Sequence, residues 1–355
     1  MKFVINKSVL ENMLINTLPY LEKKDLSQIT SHILITAFED TLDIKSTDFE
    51  IGIEIHSKNL KINEPGTATA NGKKLFDIIK ILKDDEVTLE TINDYLYIKQ
   101  KHSKFKLPMF NPSEFPEFPE IVNKPRFDIN SSNLVRSIKK IAPAIDTNNP
   151  KFELNGALID IKESYINIVA TDTKRLAIVK IENSNEKDIS LIIPKKAISE
   201  IQKIFFDEIE IYYDENTLIA KSSNFTFFTK LINGKYPDYE RIIPKEMDKK
   251  ILLNRDKIIE AIKQIWVVSQ EIKVTFKPEI IVFESLNESN IEAKTEIEIN
   301  TGLEEDITLA VNSKHIIDFL TNIEKNSFTL GYNDSTLPFT LESENFLTII
   351  MPIMI

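Results

Sequence analysis

The 355-residue chain has no cysteine and only 7 glycines, 4 histidines and 1 tryptophan. Without cysteine there are no disulfides, no thiolate metal sites and no cysteine nucleophile. So few glycines argue against a glycine-rich phosphate cradle. The nearest approach runs from Gly66 to Gly72 and then Lys73; it is one residue too long for the P-loop pattern and has Lys74 where Ser or Thr belongs. His32, His56, His102 and His315 show no i, i+4 pairing and no metal-ligand spacing, and no compact D-x-D cluster accompanies them, so neither metal nor cofactor is expected. No run reaches the ~20 apolar residues of a membrane span. The start, MKFVINKSVL, has neither the charged nor the long apolar region of a secretory signal, which predicts a cytoplasmic chain.

What is present is an ordinary globular composition, 42% apolar and 28% charged, long enough for two or three domains. The catalytic motifs it contains are thin. Ser137-Ile-Lys-Lys140 fits S-x-x-K but lacks the companion motifs of that enzyme class. Asp172, in a Thr-Asp turn, reads as a loop carboxylate that accepts backbone N–H groups. A non-enzymatic protein is expected.

The chain repeats itself. FVINKSVLENMLI recurs as FDINSSNLVRSIK from Phe127, 124 positions after Phe3, and as LLNRDKIIEAIK from Leu252, 125 positions later. Each joins an extended apolar stretch to an Asn or Ser N-cap and then to apolar residues at helical spacing. A strand, cap and second amphipathic helix repeat in step at TATANGKKLFDIIKIL, SLIIPKKAISEIQKIF and TLAVNSKHIIDFLTNI. Hairpins of alternating apolar residues repeat as well. The unit holds two helices and about eight strands, and it predicts an α+β protein of three tandem domains, 1–120, 121–246 and 247–355.

A net charge of -11 weighs at first against a nucleic-acid partner. Its distribution reverses that. The six helical segments together carry +10, so the remainder carries -21. Exposed helices of any domain favour lysine; alternatively, all six line one surface that meets phosphates, giving affinity without sequence choice. A protein that merely holds duplex in a groove is also compatible with this pattern, and matched closing surfaces would separate it from a ring.

Local motifs along the whole chain resemble the bacterial sliding clamps, the beta subunits of DNA polymerase III. ATDTKRLA (170–177) is similar to the family's ATDGHRLA, KLINGKYPDYERIIP (230–244) to its KLVDGRFPDYRRVLP, and the terminal IIMPIMI (349–355) to its VVMPMRL. LNGAL (154–158) and PEFP (116–119) stand in their expected places. The resemblance implies a head-to-tail homodimer, six domains closed around duplex DNA, with helices inside and sheet outside. It implies a peptide groove between the second and third domains for the replicative polymerase alpha subunit, the clamp loader complex and other polymerases and repair proteins. Carried over by position, that groove comprises Leu154, Thr171, Thr173, Lys174, Arg175, Leu176, Pro237, Arg241, Ile242, Ile349, Met351, Pro352, Ile353 and Met354. Arg175 and Arg241 are expected to hydrogen-bond the peptide. DNA contacts carry over to Lys23, Lys24, Lys73, Arg136, Asn148, Lys195 and Lys196. The ring-closing contact carries over to Lys104, Phe105, Lys106 and Leu107 against Val267, Val268, Glu292 and Glu296. Thr173-Lys174 stands where the family has Gly-His, which predicts a retained groove with altered peptide preference.

Overall fold

The computed structural model describes residues 1–25, 27–182, 188–206, 208–286 and 291–354. Among them are six α-helices and 25 strands, nine strands in the first repeat and eight in each of the others. The helices are α1 (Lys7–Thr17), α2 (Gly72–Ile81), α3 (Ser131–Ile141), α4 (Lys195–Ile204), α5 (Arg255–Trp266) and α6 (Ser313–Leu320). Asparagine opens four of them. Asn6, Asn71, Asn254 and Asn312 each accept a first-turn backbone N–H, at 2.9 to 3.1 Å, and so satisfy one orphan donor. Helical spacing then fixes the buried face: α2 buries Leu75 and Ile79 and leaves Lys73, Lys74 and Lys80 exposed.

The chain forms two compact units, residues 1–131 with 205–231, and residues 132–204 with 232–355. In the first, a five-stranded antiparallel sheet runs in the order Leu60–Glu64, Lys2–Asn6, Glu86–Ile92, Tyr95–Gln100, Ser103–Pro108. An eight-stranded sheet joins four strands of the first repeat to four of the second through the pairing of Ile51–Ser57 with Phe225–Lys230. Phe3, Ile5, Leu10, Leu14, Ile33, Ile35, Leu75 and Leu89, from both sheets and both first-repeat helices, form a buried core cluster of this unit.

The second unit repeats the device. Its eight-stranded sheet joins second-repeat and third-repeat strands where Arg175–Glu182 pairs with Phe346–Ile350, with Leu176 opposite Ile349. A four-stranded sheet runs Lys294–Glu298, Ile280–Ser285, Glu271–Phe276, Ile307–Asn312. Each smaller sheet ends on an outer strand with one neighbour among the described residues, Ser103–Pro108 in one unit and Lys294–Glu298 in the other. Unpaired edges of this kind are templates for another chain.

Candidate functional site

In the second unit the Thr171–Arg175 loop, the 236–243 segment and the terminal run converge. The loop folds on itself: Thr171 Oγ1 donates to the Arg175 carbonyl (2.6 Å) and accepts from the Thr173 N–H (3.1 Å). Asp172 Oδ1 accepts the Lys174 and Arg175 N–H groups at 3.1 and 3.0 Å, the role expected of a turn carboxylate. This closure holds Thr173 at φ 71°, left-handed backbone that a β-branched residue rarely adopts. The family's glycine at this position would take it without strain.

The floor is apolar. Leu154, Leu176 and Ile349 are each 2% exposed and pack in one cluster with Leu158, Val169, Tyr236 and Tyr239. The terminal run divides between two roles. Ile349 and Ile350 are core, whereas Met351 and Met354 are 44% and 71% exposed. The Met351 N–H donates to the Lys174 carbonyl at 2.9 Å; beyond Pro352, the Ile353 N–H donates to Ala310 at 2.8 Å. Proline thus ends one pairing and the chain takes up another. Ile242, Pro237, Thr173, Lys174 and Arg241 stand exposed around this floor. Thioethers and branched side chains over an apolar floor make an adaptable pocket for a large hydrophobic anchor.

The two arginines part company. Arg241 is exposed and paired with Asp238 at 2.7 Å. Arg175 is 6% exposed, and each nitrogen of its guanidinium already has an acceptor. Nε donates to Asp172 (3.0 Å), one terminal nitrogen to Asp318 of α6 (2.7 Å), and the other to the Pro143 carbonyl. Arg175 is thus an internal tie between second-repeat and third-repeat segments, with three of its five N–H groups engaged, a structural role that the sequence reading of it as a peptide contact did not include.

A network the sequence did not reveal positions the 236–243 segment. Tyr239 Oη donates to Asp160 Oδ2 (2.8 Å) and accepts from Asn167 Nδ2 (2.9 Å), while Ser190 Oγ donates to Asp160 Oδ1 (2.8 Å). Burial, with Asp160 adding to it, raises the Tyr239 phenol well above its ordinary range, so it stays protonated and donating. A concavity of about 820 Å³ lies at the opposite end of the same strands, between Lys180, Glu182, Lys245, Glu342 and Asn345.

Of the expected phosphate contacts, Lys23, Lys24, Lys73, Arg136, Asn148 and Lys196 are exposed. Lys195 is half-buried, and its ammonium donates to the Ile145 carbonyl (2.8 Å) and to Thr147 Oγ1 (2.6 Å), so it also braces the turn carrying Asn148. On the outer strand of the first unit, Lys104 and Lys106 are exposed and lie over the Tyr97 and Tyr95 rings, with Phe105 and Leu107 half-buried between them. On the second unit Val267 is 86% exposed and Val268 half-buried, and Glu292 and Glu296 are exposed. Lys294 pairs with Glu296 at 2.6 Å, which offsets part of that acidic edge.

The reading of the histidines needs one correction. His56 does stand in a donor cluster, with Asp43 and Glu54, their ligand atoms within 4.8 Å of one another. The residues come from two adjacent strands, which sequence spacing cannot show. They are already satisfied as cross-strand pairs, His56 with Asp43 at 2.8 Å and Glu54 with Lys45 at 3.2 Å. Ser137 of the S-x-x-K match is buried, and Lys140 reaches Asn345.

Comparison with known proteins gives one answer along the whole chain. Family models of the DNA polymerase III beta subunit match in tandem: the N-terminal domain over residues 1–119, the central domain over 128–238 and the C-terminal domain over 240–354. The beta sliding clamp of Helicobacter pylori strain J99 is 40% identical over 351 residues, covering 96% of this chain and 94% of that one. The crystal structure of the Helicobacter pylori beta clamp bound to a DNA ligase peptide matches all of both chains with a TM-score of 0.94 at 39% identity. The DNA polymerase III beta subunit of Pseudomonas aeruginosa, 24% identical, shares the fold with a TM-score of 0.94.

Proposed function

The chain belongs to the DNA polymerase III beta subunit family, the sliding clamps, and from its place among these processivity factors we propose the assembly and the contacts by which it works. Two copies close head to tail, domains 1–120, 121–246 and 247–355 of each contributing to a six-domain ring around duplex DNA. The observation that carries this is the opposite charge of two of the open sheet edges, one on each unit. The Ser103–Pro108 edge presents Lys104 and Lys106, and the Lys294–Glu298 edge presents Glu296 and Glu298. Main-chain pairing of such edges, with Phe105 and Leu107 meeting Val267 and Val268, buries what each copy leaves open.

Within the ring, exposed cations at Lys23, Lys24, Lys73, Arg136 and Lys196 contact phosphates without reading bases, so the protein slides. The site built on Leu154, Thr171, Thr173, Lys174, Leu176, Pro237, Arg241, Ile242, Ile349, Met351, Pro352, Ile353 and Met354 docks peptide segments of the polymerase alpha subunit, of the clamp loader and of repair proteins. The Helicobacter pylori relative bound to a DNA ligase peptide supports that reading. The protein has no catalytic role of its own and works in the cytoplasm; an ATP-driven loader opens the ring.

Deleting residues 351–355 tests the assignment. The groove loses both exposed thioethers, Met351 and Met354, whereas the ring contact lies elsewhere. Sedimentation is expected to give a dimer for both proteins, twice 40.9 kDa for the full chain and slightly less for the truncated one, with polymerase binding lost in the latter. Dissociation to single chains on truncation would contradict the assignment.

A further inference from the structure

The first unit contains a second copy of the groove's scaffold. Thr47-Asp48-Phe49 closes as Thr171-Asp172-Thr173 does. Thr47 Oγ1 donates to the Ile51 carbonyl (2.8 Å) and accepts from the Phe49 N–H (3.0 Å), and Asp48 Oδ1 accepts the Glu50 and Ile51 N–H groups, both at 3.0 Å. Phe49 sits at φ 73° and Thr173 at 71°. The Lys230 N–H donates to the Glu50 carbonyl at 2.8 Å, as Met351 does to Lys174 at 2.9 Å. The cross-strand partners correspond as well, Phe228 opposite Gly52 and Ile349 opposite Leu176. The segment over each sheet has the same pattern, Phe115-Pro116-Glu117-Phe118 against Tyr236-Pro237-Asp238-Tyr239, its first aromatic buried in both.

On this scaffold lies a cavity of about 290 Å³ walled by Phe49, Pro116, Phe118, Pro119 and Phe228. Gly52 makes room for it, since a Cβ there would come within 2.3 Å of the Phe228 ring. Phe118 stands edge-on to Phe228 at 4.8 Å and keeps that ring in place. The least economical residue is Phe49. A bulky aromatic in left-handed backbone, 51% exposed, gains little from the fold itself. Strain kept at a solvent-facing ring points to function.

The two sites differ in the charge at their mouths. Where the groove has Lys174, this pocket has Glu50; where the groove has Arg241, the corresponding residue is Glu120; Glu117 is exposed between them. The nearby cations are already paired: Lys230 lies 3.5 Å from Glu50, and Lys45, whose ammonium is 5.2 Å from the centre of the Phe118 ring, lies 3.2 Å from Glu54. We propose that this pocket is a second docking site, which takes an extended segment of a partner protein bearing a large apolar anchor flanked by lysine or arginine. The proposal rests on the reading of the second unit's loop and terminal run as a peptide groove. Two similar scaffolds of opposite rim charge allow one clamp to hold two classes of partner at once.

The test uses the full-length protein and labelled, end-blocked hexapeptides followed by fluorescence anisotropy. Lys-Lys-Leu-Phe-Lys-Lys is the probe for this pocket, Lys-Lys-Ser-Gly-Lys-Lys its control without an anchor, and Asp-Asp-Leu-Phe-Asp-Asp the probe for the groove. Phe49→Asp suits left-handed backbone, so the variant keeps its fold, and Glu50→Lys reverses the rim charge. The basic probe is expected to bind saturably and more tightly than its control, to weaken at least about tenfold in both variants, and to be unaffected by deletion of 351–355. The acidic probe should show the opposite dependence. Binding of the basic probe that equals its control, or that survives Phe49→Asp, overturns the proposal. If instead the acidic probe ignores the deletion while the basic probe depends on Phe49, the groove reading fails and this pocket stands.

Discussion

Replacing Arg175 by alanine separates two accounts of the groove. If Arg175 contacts a bound peptide, Arg175→Ala weakens peptide binding and leaves stability alone. In the structure it does the reverse work: its guanidinium joins Asp172, Asp318 and the Pro143 carbonyl at 6% exposure. Truncation strands two carboxylates and a carbonyl. Breaking a buried ion pair by removing one partner costs ~3–5 kcal/mol. Asp172 and Asp318 keep 21% and 20% of their side-chain surface, and Lys314 still reaches Asp318 at 2.7 Å, so the lower end, about 3 kcal/mol, applies. Urea denaturation followed by far-ultraviolet circular dichroism reads this as a fall in midpoint at unchanged slope. Arg175→Lys keeps the charge but not the fork, and is expected to recover only part of the loss. A variant within about 0.5 kcal/mol of the parent that has nonetheless lost peptide affinity would refute the reasoning.

Three further changes probe other parts of the molecule. Thr173→Gly relieves the left-handed backbone at φ 71° and is expected to stabilise by about 1 kcal/mol in the same urea titration; destabilisation would mean the threonine makes compensating contacts. His32 is 5% exposed, packs against Phe110 with ring centroids 4.4 Å apart and planes tilted by 47°, and has its pKa lowered to about 4 by desolvation. The unfolded chain protonates it near 6.5, so its contribution is complete above that pH and is lost as pH falls toward 4, by about 3 kcal/mol in all. His32→Phe should flatten that part of the pH–stability curve, and an unchanged curve would contradict it. Val267→Lys with Val268→Lys sets two new cations beside Lys104 and Lys106 of the partner copy and should yield single chains in sedimentation, whereas an unaltered mass would place the contact elsewhere.

Much of the fold could be read from the sequence because its signals are local. The capping asparagines Asn6, Asn71, Asn254 and Asn312 and the strand alternation each act within a few residues. The same is true of Thr171–Arg175, whose turn chemistry is visible in Thr-Asp itself. What escaped depends on residues far apart in the chain. The fate of Arg175 is decided by Asp318, 143 positions away, and that of Lys195 by a turn 48 to 50 positions earlier. Tyr239 meets Asp160 across 79 positions, and Asp43 meets His56 only through strand register. A lysine or arginine reads as an available cation until its acceptors are known. The duplicate scaffold around Phe49 was hidden for another reason. Thr-Asp-Phe-Glu-Ile and Thr-Asp-Thr-Lys-Arg share two residues, while the likeness lies in the backbone hydrogen bonds.

Encirclement is the central claim, and retention on DNA tests it most directly. The protein is loaded on nicked circular duplex with its own loader and ATP, free protein is removed by gel filtration, and half the sample is cut once with a restriction enzyme. The expected result is stable retention on the circle and prompt loss from the linear form, since a closed ring held by unspecific contacts slides off an end. Equal retention on both forms would contradict encirclement and leave a protein that grips duplex DNA from one side.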